Sequence, residues 1–274
     1  MRINTNTNSM LALRNFQNVS TNQKNAQSKM ASGDRIQSAA FDPSGLAISE
    51  TMNATIRSQS QVKRNINDGV SLLQVAEGSL SELSNLGIRL RELAIQASSD
   101  TVNDEARVMA DYEFRSLKEE IKRLTSSSKF NGNHILDGNS NYELQIGTNN
   151  DPFQDRIEYN LSKILDAKSN FGLDTIDLRT KTSAQNSISK VDKMMQQVGE
   201  SRAKIGASQN RLESMFANLQ VGQENLISAK SLIRDADMAK ESAENVKGSI
   251  QKNATVMMMQ TVNSNPSKVL KLLE

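Results

Sequence analysis

The sequence predicts a mainly α protein: a long antiparallel helical bundle or coiled-coil rod with a small β-hairpin region and paired terminal helices. Three observations carry this. An uninterrupted apolar series recurs every seven residues from Val191 to Ile233, as one position of a coiled-coil seam does. Glycine and proline punctuate the middle of the chain far more densely than its ends. Aromatic residues make up 4% of the 274 residues and there are three prolines, too few aromatics for a thick globular core, whereas the abundant Ala, Ser, Asn, Gln, Lys and Leu suit long helices in thin layers.

The N-terminal arm, residues 1–42, is read as a helix from Asn4 to about Ser38, with Leu13, Phe16, Val19, Gln23, Ala26 and Met30 spaced by three or four along one modest apolar stripe. It is too polar to stand alone. Its first forty residues carry a local charge of +4, from Arg2, Arg14, Lys24, Lys29 and Arg35 against Asp34, which a solvated helix face accounts for. Asp42-Pro43-Ser44-Gly45 is turn chemistry and sets a domain boundary near 43.

A rod domain is expected from 43 to 234. In its first helix, about 44–99, Val62, Ile66, Gly69, Leu73, Ala76, Leu80, Leu83, Gly87, Leu90, Ala94 and Ala97 alternate spacings of four and three, and the small members imply close helix approach. Ser99 and Asp100 break the pattern, and a second helix, about 104–128, runs through Val108, Tyr112, Leu117, Ile121 and Leu124. Hairpins are expected over about 133–180: Tyr142, Leu144 and Ile146 alternate, Gly147 to Pro152 turns, Arg156 to Tyr159 returns, and Phe171 to Leu178 supplies a further strand pair.

The seam follows, with Val191, Val198, Ile205, Leu212, Leu219, Leu226 and Ile233 in a helix of about 183–229 that would be ~70 Å long at ~1.5 Å per residue. Its companion position holds Ile188, Met195, Arg202, Gln209, Phe216, Gln223 and Lys230; Arg202 and Gln209 are expected to make register-setting polar contacts at the helix interface. The C-terminal arm, 235–274, carries Val246, Ile250, Ala254, Met257, Met258, Val262, Val269, Leu270, Leu272 and Leu273, a stripe whose expected partner is the N-terminal arm. Both termini then lie at one end.

Several chemistries are excluded. With no cysteine there are no disulfides, thiolate metal sites or thiol nucleophiles. His134 is the lone histidine, so His-based metal clusters and catalytic triads are unavailable. The glycine clusters at 132–138 and 199–206 lack the Lys-Ser/Thr ending of a phosphate loop. Glu119 and Glu120 are adjacent and point apart on a helix. Met257 to Met259 reads as interface packing rather than a soft-metal site. No catalytic residue, cofactor or metal is expected, the net charge of +2 invites neither nucleic acid nor an anionic membrane, and no apolar run reaches a membrane span. Met1 to Leu13 lacks the form of a cleaved signal, so export, if it occurs, takes another route.

Both ends resemble bacterial flagellins. The start Ile3-Asn4-Thr5-Asn6, the stretch Ser32-Gly33-Asp34-Arg35-Ile36-Gln37-Ser38-Ala39-Ala40 with Ser44-Gly45-Leu46-Ala47-Ile48-Ser49, and the segments Arg64 to Gly69, Ser71 to Gly78, Arg91 to Gln96 and Phe130-Asn131-Gly132 are similar to the family's N-terminal region. Arg202 to Glu213 and Ile233 to Ala239 are similar to its C-terminal region. The resemblance implies a structural subunit, not an enzyme, that polymerises with copies of itself into the flagellar filament, its paired arms forming an inner tube through Leu13, Phe16, Val19, Met30, Met257, Met258, Val269, Leu272 and Leu273. It also implies an extracellular filament, bare, sheathed or periplasmic, reached by the flagellar type III export apparatus. An export chaperone on the C-terminal arm and junction and cap proteins are implied partners. Arg89, Leu93 and Glu120 match the family's contacts for a host Toll-like receptor, with Ile88 where glutamine is usual. The short centre leaves no room for the large outer domains of longer flagellins. Alternative readings are a hook-filament junction protein of the same superfamily, told apart by copy number, and a secreted monomeric coiled-coil binding module, which would not elongate from seeds.

Overall fold

A computed structural model describes residues 6–136, 141–160 and 167–271. Five helices dominate: α1 (Thr7–Ser32), α2 (Pro43–Ser98), α3 (Asp104–Ser127), α4 (Lys181–Arg234) and α5 (Met238–Lys271). Between α3 and α4 lie two antiparallel hairpins, β1 (Lys129–Phe130) with β2 (Asn133–His134) and β3 (Asn141–Gln145) with β4 (Arg156–Asn160), then a 3-10 segment at Ala167–Thr175. The chain divides into a terminal unit, 1–56 with 224–274, and a central unit, 57–223. The breaks at 43 and 235 separate helices, while the units divide inside α2 and α4.

In the central unit, all eleven residues of the α2 series from Val62 to Ala97 are buried, because their 4-3 spacing keeps them on one face and Gly69, Gly87 and the alanines allow neighbours close. At Gly87 an added Cβ would sit 3.2 Å from Met195 Cγ and 3.3 Å from Met194 Cε. On α4, Val191, Val198, Ile205 and Leu212 are buried. The companion line differs from the apolar reading: Ser187, Met194 and Ser201 are buried, while Ile188 and Met195 flank them. Serine serves because its hydroxyl is satisfied by its own helix, Ser187 Oγ donating to Ser183 O at 2.9 Å and Ser201 Oγ to Gln197 O at 2.7 Å.

Helix α3 buries Ile121 and packs Leu117 and Leu124 on the core as expected, but its first half turns a different face inward. Val108 and Tyr112 are exposed, and Arg107, Asp111, Phe114, Ile121 and Thr125 are buried. The reason is polar: Arg107 closes the α2–α3 turn by donating to Ala97 O and Ser99 O, both at 2.9 Å, with Asp104 at 2.6 Å. Asp111 anchors the chain before α4, accepting from Leu178 N at 3.0 Å and pairing with Arg179 at 3.3 Å and Arg115 at 2.9 Å. Asn103 caps α3, its side chain accepting from Ala106 N at 2.9 Å, and Asp104 and Glu105 complement the helix dipole.

The hairpin β3–β4 pairs Leu144 with Ile157 and lays Leu144 against Gly69 of α2, where Asn65 also donates to Gln145 O at 3.2 Å. A shorter hairpin, β1–β2, turns through Asn131 and Gly132, both at positive φ (48° and 83°), as a two-residue hairpin of this twist requires. No strand pair forms at 171–178. Phe171, Leu173, Ile176 and Leu178 are buried, yet the chain is 3-10 helix through Thr175 and irregular after it. Its carbonyls at Leu173 and Ile176 accept from Lys118 Nζ at 3.1 and 2.7 Å, and the Leu178 N–H donates to Asp111, so side chains take the place of a strand partner. Burial pushes the Lys118 ammonium below its usual value.

Candidate assembly surfaces

In the terminal unit α1 and α5 pair antiparallel. The α1 residues turned inward are Ser9, Ala12, Phe16, Val19, Gln23, Ala26 and Met30, with alternating steps of three and four, and the α5 residues facing them are Glu241, Asn245, Gly248, Lys252, Thr255, Met259 and Val262, with steps of four and three. This is a coiled-coil register written largely in polar and small residues. Along it, Lys29 pairs with Glu241 at 3.2 Å, Gln23 donates to Asn245 at 3.5 Å, Lys252 lies over the Phe16 ring at 5.9 Å, Ser9 Oγ donates to Asn263 at 3.0 Å and Asn6 Nδ2 to Val262 O at 3.3 Å. Gly248 lets the helices approach, since a Cβ there would lie 3.2 Å from Gln23 Cβ.

Beyond the paired helices the chain crosses itself at a clasp. Arg35 N donates to Arg234 O at 2.6 Å, Ala236 N to Gly33 O at 2.8 Å, and the Arg35 guanidinium to Ile233 O at 2.6 Å. Gly33 ends α1 in the left-handed region, φ 74°, returning its N–H to Lys29 O at 2.9 Å. Arg234 pairs with Asp34 at 3.3 Å and Glu50 at 2.6 Å, and the Glu50 bond first, then burial and Asp34, shape its raised basicity. Asp42 and Pro43 hold the N-cap and first positions of α2: the Asp42 carboxylate accepts from Gly45 N at 2.9 Å and Ser44 Oγ at 3.0 Å, which holds it below the usual carboxylate value.

The α1 stripe from Phe16 to Met30 faces its mate as expected, and the α5 stripe does not. Of the residues expected to pack together, Phe16, Val19 and Met30 are half-buried against α5, but Leu13 faces out with Met10 and Leu11. On α5, Val246, Ile250, Met257 and Met258 also face out, the last three 65%, 67% and 65% exposed. Helix α1 turns Phe16, Val19, Ala26 and Met30 to its mate, whereas α5 answers mostly with polar and small residues and carries its own apolar line on the outside. Leu272 and Leu273 lie outside the described residues, as does the side chain of Val269.

In the central unit, Arg202 lies across the α4–α2 interface and pairs with Glu77 at 2.8 Å, and Gln209 is half-buried without a hydrogen bond among the described residues. Arg89 pairs with Glu113 at 2.7 Å and Glu92 at 3.0 Å, and Glu120, two turns beyond Glu113 on α3, pairs with Arg123 at 2.6 Å. Leu93 does not join them: at 3% exposure it belongs to the core, one turn after the exposed Arg89.

Residues 3–141 match the bacterial flagellin N-terminal helical region, and residues 188–273 match the bacterial flagellin C-terminal helical region. A flagellin of Halalkalibacterium halodurans is 40% identical, the alignment covering 100% of both chains. The chain belongs to the bacterial flagellin family. As a flagellin it is a structural subunit of the flagellar filament. A flagellar filament 31.3 kDa core protein of Treponema maltophilum is 32% identical, again over 100% of each chain. A putative flagellar hook-associated protein of Vibrio parahaemolyticus shares the fold, with a TM-score of 0.59 over 71% of this flagellin and 99% of that chain, at 14% identity. On α1 of this flagellin the apolar spacing marks the inward line from Phe16 to Met30, whereas on α5 the inward line from Glu241 to Val262 is mostly polar and small and carries no such mark.

Proposed function

We propose that the α1–α5 pair is the assembly element of the filament and that its outward apolar face is covered by neighbouring copies of the chain. The observation that carries this is the apolar face left outside the pair, Met10, Leu11, Leu13, Val246, Ile250, Met257 and Met258, while Lys29, Gln23, Glu241, Asn245 and Lys252 occupy positions at the internal contact. Covering those seven side chains at roughly 1 kcal/mol each, half the value of a complete apolar burial, is worth about 7 kcal/mol per subunit, comparable to the entropy lost on association. In the free subunit the same residues contribute little, so the ends order with assembly.

On this reading the flagellin leaves the cell through the flagellar type III route, guided by an export chaperone on the C-terminal arm, and meets junction and cap proteins at the filament ends. Its role is structural rather than catalytic. Arg89 and Glu120 supply surface contacts to a host Toll-like receptor, and Ile88, exposed beside Arg89, weakens that contact by replacing a polar group with an apolar one. Family membership supports these partners, and Leu93 is left out of the contact by its burial.

Deletion of residues 1–40 or 240–274 tests the assembly reading. The truncated chain keeps a melting transition for the central unit and does not elongate from filament seeds. Growth of filaments from either truncated protein would remove the arms from the assembly role.

A further inference from the structure

The α5 helix continues through Pro266, which has no N–H to give the carbonyl four residues earlier. That carbonyl is Val262 O. In an uninterrupted helix it would accept from residue 266; here it accepts from the Asn6 side chain, Nδ2 donating at 3.3 Å. The same Asn6 caps α1, its Oδ1 accepting from Ser9 N at 3.0 Å and its backbone carbonyl from Met10 N at 3.2 Å. One residue on, Ser9 Oγ donates to Asn263 Oδ1 at 3.0 Å. The first turn of one arm therefore fits a vacancy that proline creates in the last turns of the other.

We infer that Asn6 is the register-determining residue of the terminal pair and that the Val262 carbonyl released by Pro266 is its site. The side chain divides its labour by atom. The oxygen starts α1, and the amide nitrogen fixes where α1 begins relative to α5. A side chain with only an oxygen performs the first task and not the second. A shift of either helix by one turn leaves the Val262 carbonyl without a donor, and the neighbouring seam residues follow, since Gln23 with Asn245 and Lys29 with Glu241 keep the same antiparallel alignment. No other intrahelical carbonyl of α5 is freed this way among the described residues, because Pro266 is the one proline between Met238 and Lys271.

The inference rests on the arms being the assembly element, and the test separates the two. Filaments of full-length protein are grown from seeds and the critical concentration is measured for Asn6→Asp, which keeps a capping oxygen and has no donor, in the parent and in Pro266→Ala. In the parent it raises the critical concentration by about fivefold, the worth of one hydrogen bond to an otherwise unpaired carbonyl. In Pro266→Ala the restored residue-266 N–H takes the carbonyl, and the increase falls below about twofold. Equal increases in both backgrounds, or an unchanged critical concentration for Asn6→Asp in the parent, overturn the inference. Should Pro266→Ala not grow at all, the parent-background measurement decides alone. Growth without either arm, by contrast, sinks the assembly reading itself.

Discussion

Three glycines of the central unit lie in helix interiors with open space around them. Gly78 of α2 and Gly199 and Gly206 of α4 have nothing within 4 Å of the position a Cβ would take, and none has a positive φ. Alanine at such a place loses no contact and gains helix propensity, about 0.8 kcal/mol per site, mostly by removing conformational freedom from the unfolded chain. The sites are on different helices or two turns apart, so the effects add to about 2.5 kcal/mol. For a unit of this size each kcal/mol moves the melting temperature by about 2–4 °C, which places the triple variant Gly78→Ala, Gly199→Ala, Gly206→Ala about 5–10 °C above the parent. Differential scanning calorimetry of the monomer measures this. An unchanged or lower transition would refute the reasoning, because it would mean that these backbones are not ordinary unobstructed helix. Seeded growth of the same variant asks a separate question. If the monomer gains stability while growth slows, the glycines stand where a neighbouring copy comes close.

Other outcomes follow from buried polar anchors and caps. Asp111→Ala leaves the buried Leu178 N–H unpaired and releases the segment before α4, at a cost of about 3 kcal/mol, read as a drop of about 6–12 °C in the central transition, whereas Asp111→Asn, which keeps one acceptor, costs less. Asp42 has a folded-state value below its unfolded 3.8, so its contribution is present above 3.8 and is lost as pH falls through the lower folded value; Asp42→Ala should speed amide exchange at the start of α2 at neutral pH and match the parent in stronger acid. Replacing the facing polar pair with Gln23→Leu and Asn245→Leu should stabilise the arms in the free subunit by about 1 kcal/mol, slowing proteolysis of both ends, and unchanged trimming would show that this pair is not in contact in solution.

How much of this was legible in the sequence depended on whether the buried face was apolar. On α2 it was, and the series from Val62 to Ala97 gives the inward face residue by residue. On the first half of α3 the inward face includes Arg107, held by carbonyls of the preceding turn, and Asp111, held by Leu178 far along the chain, so counting apolar residues slides the helix round to Val108 and Tyr112. The companion line of α4 was missed for a related reason. Ser187 and Ser201 are polar by type yet buried, their hydroxyls returned to their own helix. At 171–178 the apolar residues are buried but spaced two, three and two apart, and no strand forms because Lys118 and Asp111 satisfy the backbone that a strand would have needed to pair. The Asn131-Gly132 hairpin did carry a local signal, two residues suited to positive φ between short extended pairs.

The arms show why polarity is a poor guide when the final partner is another copy of the chain. Two incomplete apolar stripes in one sequence invite the conclusion that they complete each other, and within a monomeric protein that conclusion is usually sound. A subunit of a polymer has a different constraint, since apolar surface consumed inside the subunit is no longer available to hold neighbours. The α1–α5 pair meets it by spending polar and small residues on the internal contact. Polar seam residues add little stability but discriminate sharply between registers, because a slip leaves donors and acceptors unmatched. Weak pairing and definite alignment thus arise from the same residues, Gln23, Lys29, Glu241 and Asn245, while Ile250, Met257 and Met258 are kept in reserve. On the proposed assembly reading, strengthening the internal seam and strengthening the filament are separate operations on this chain, acting on different faces of the same two helices.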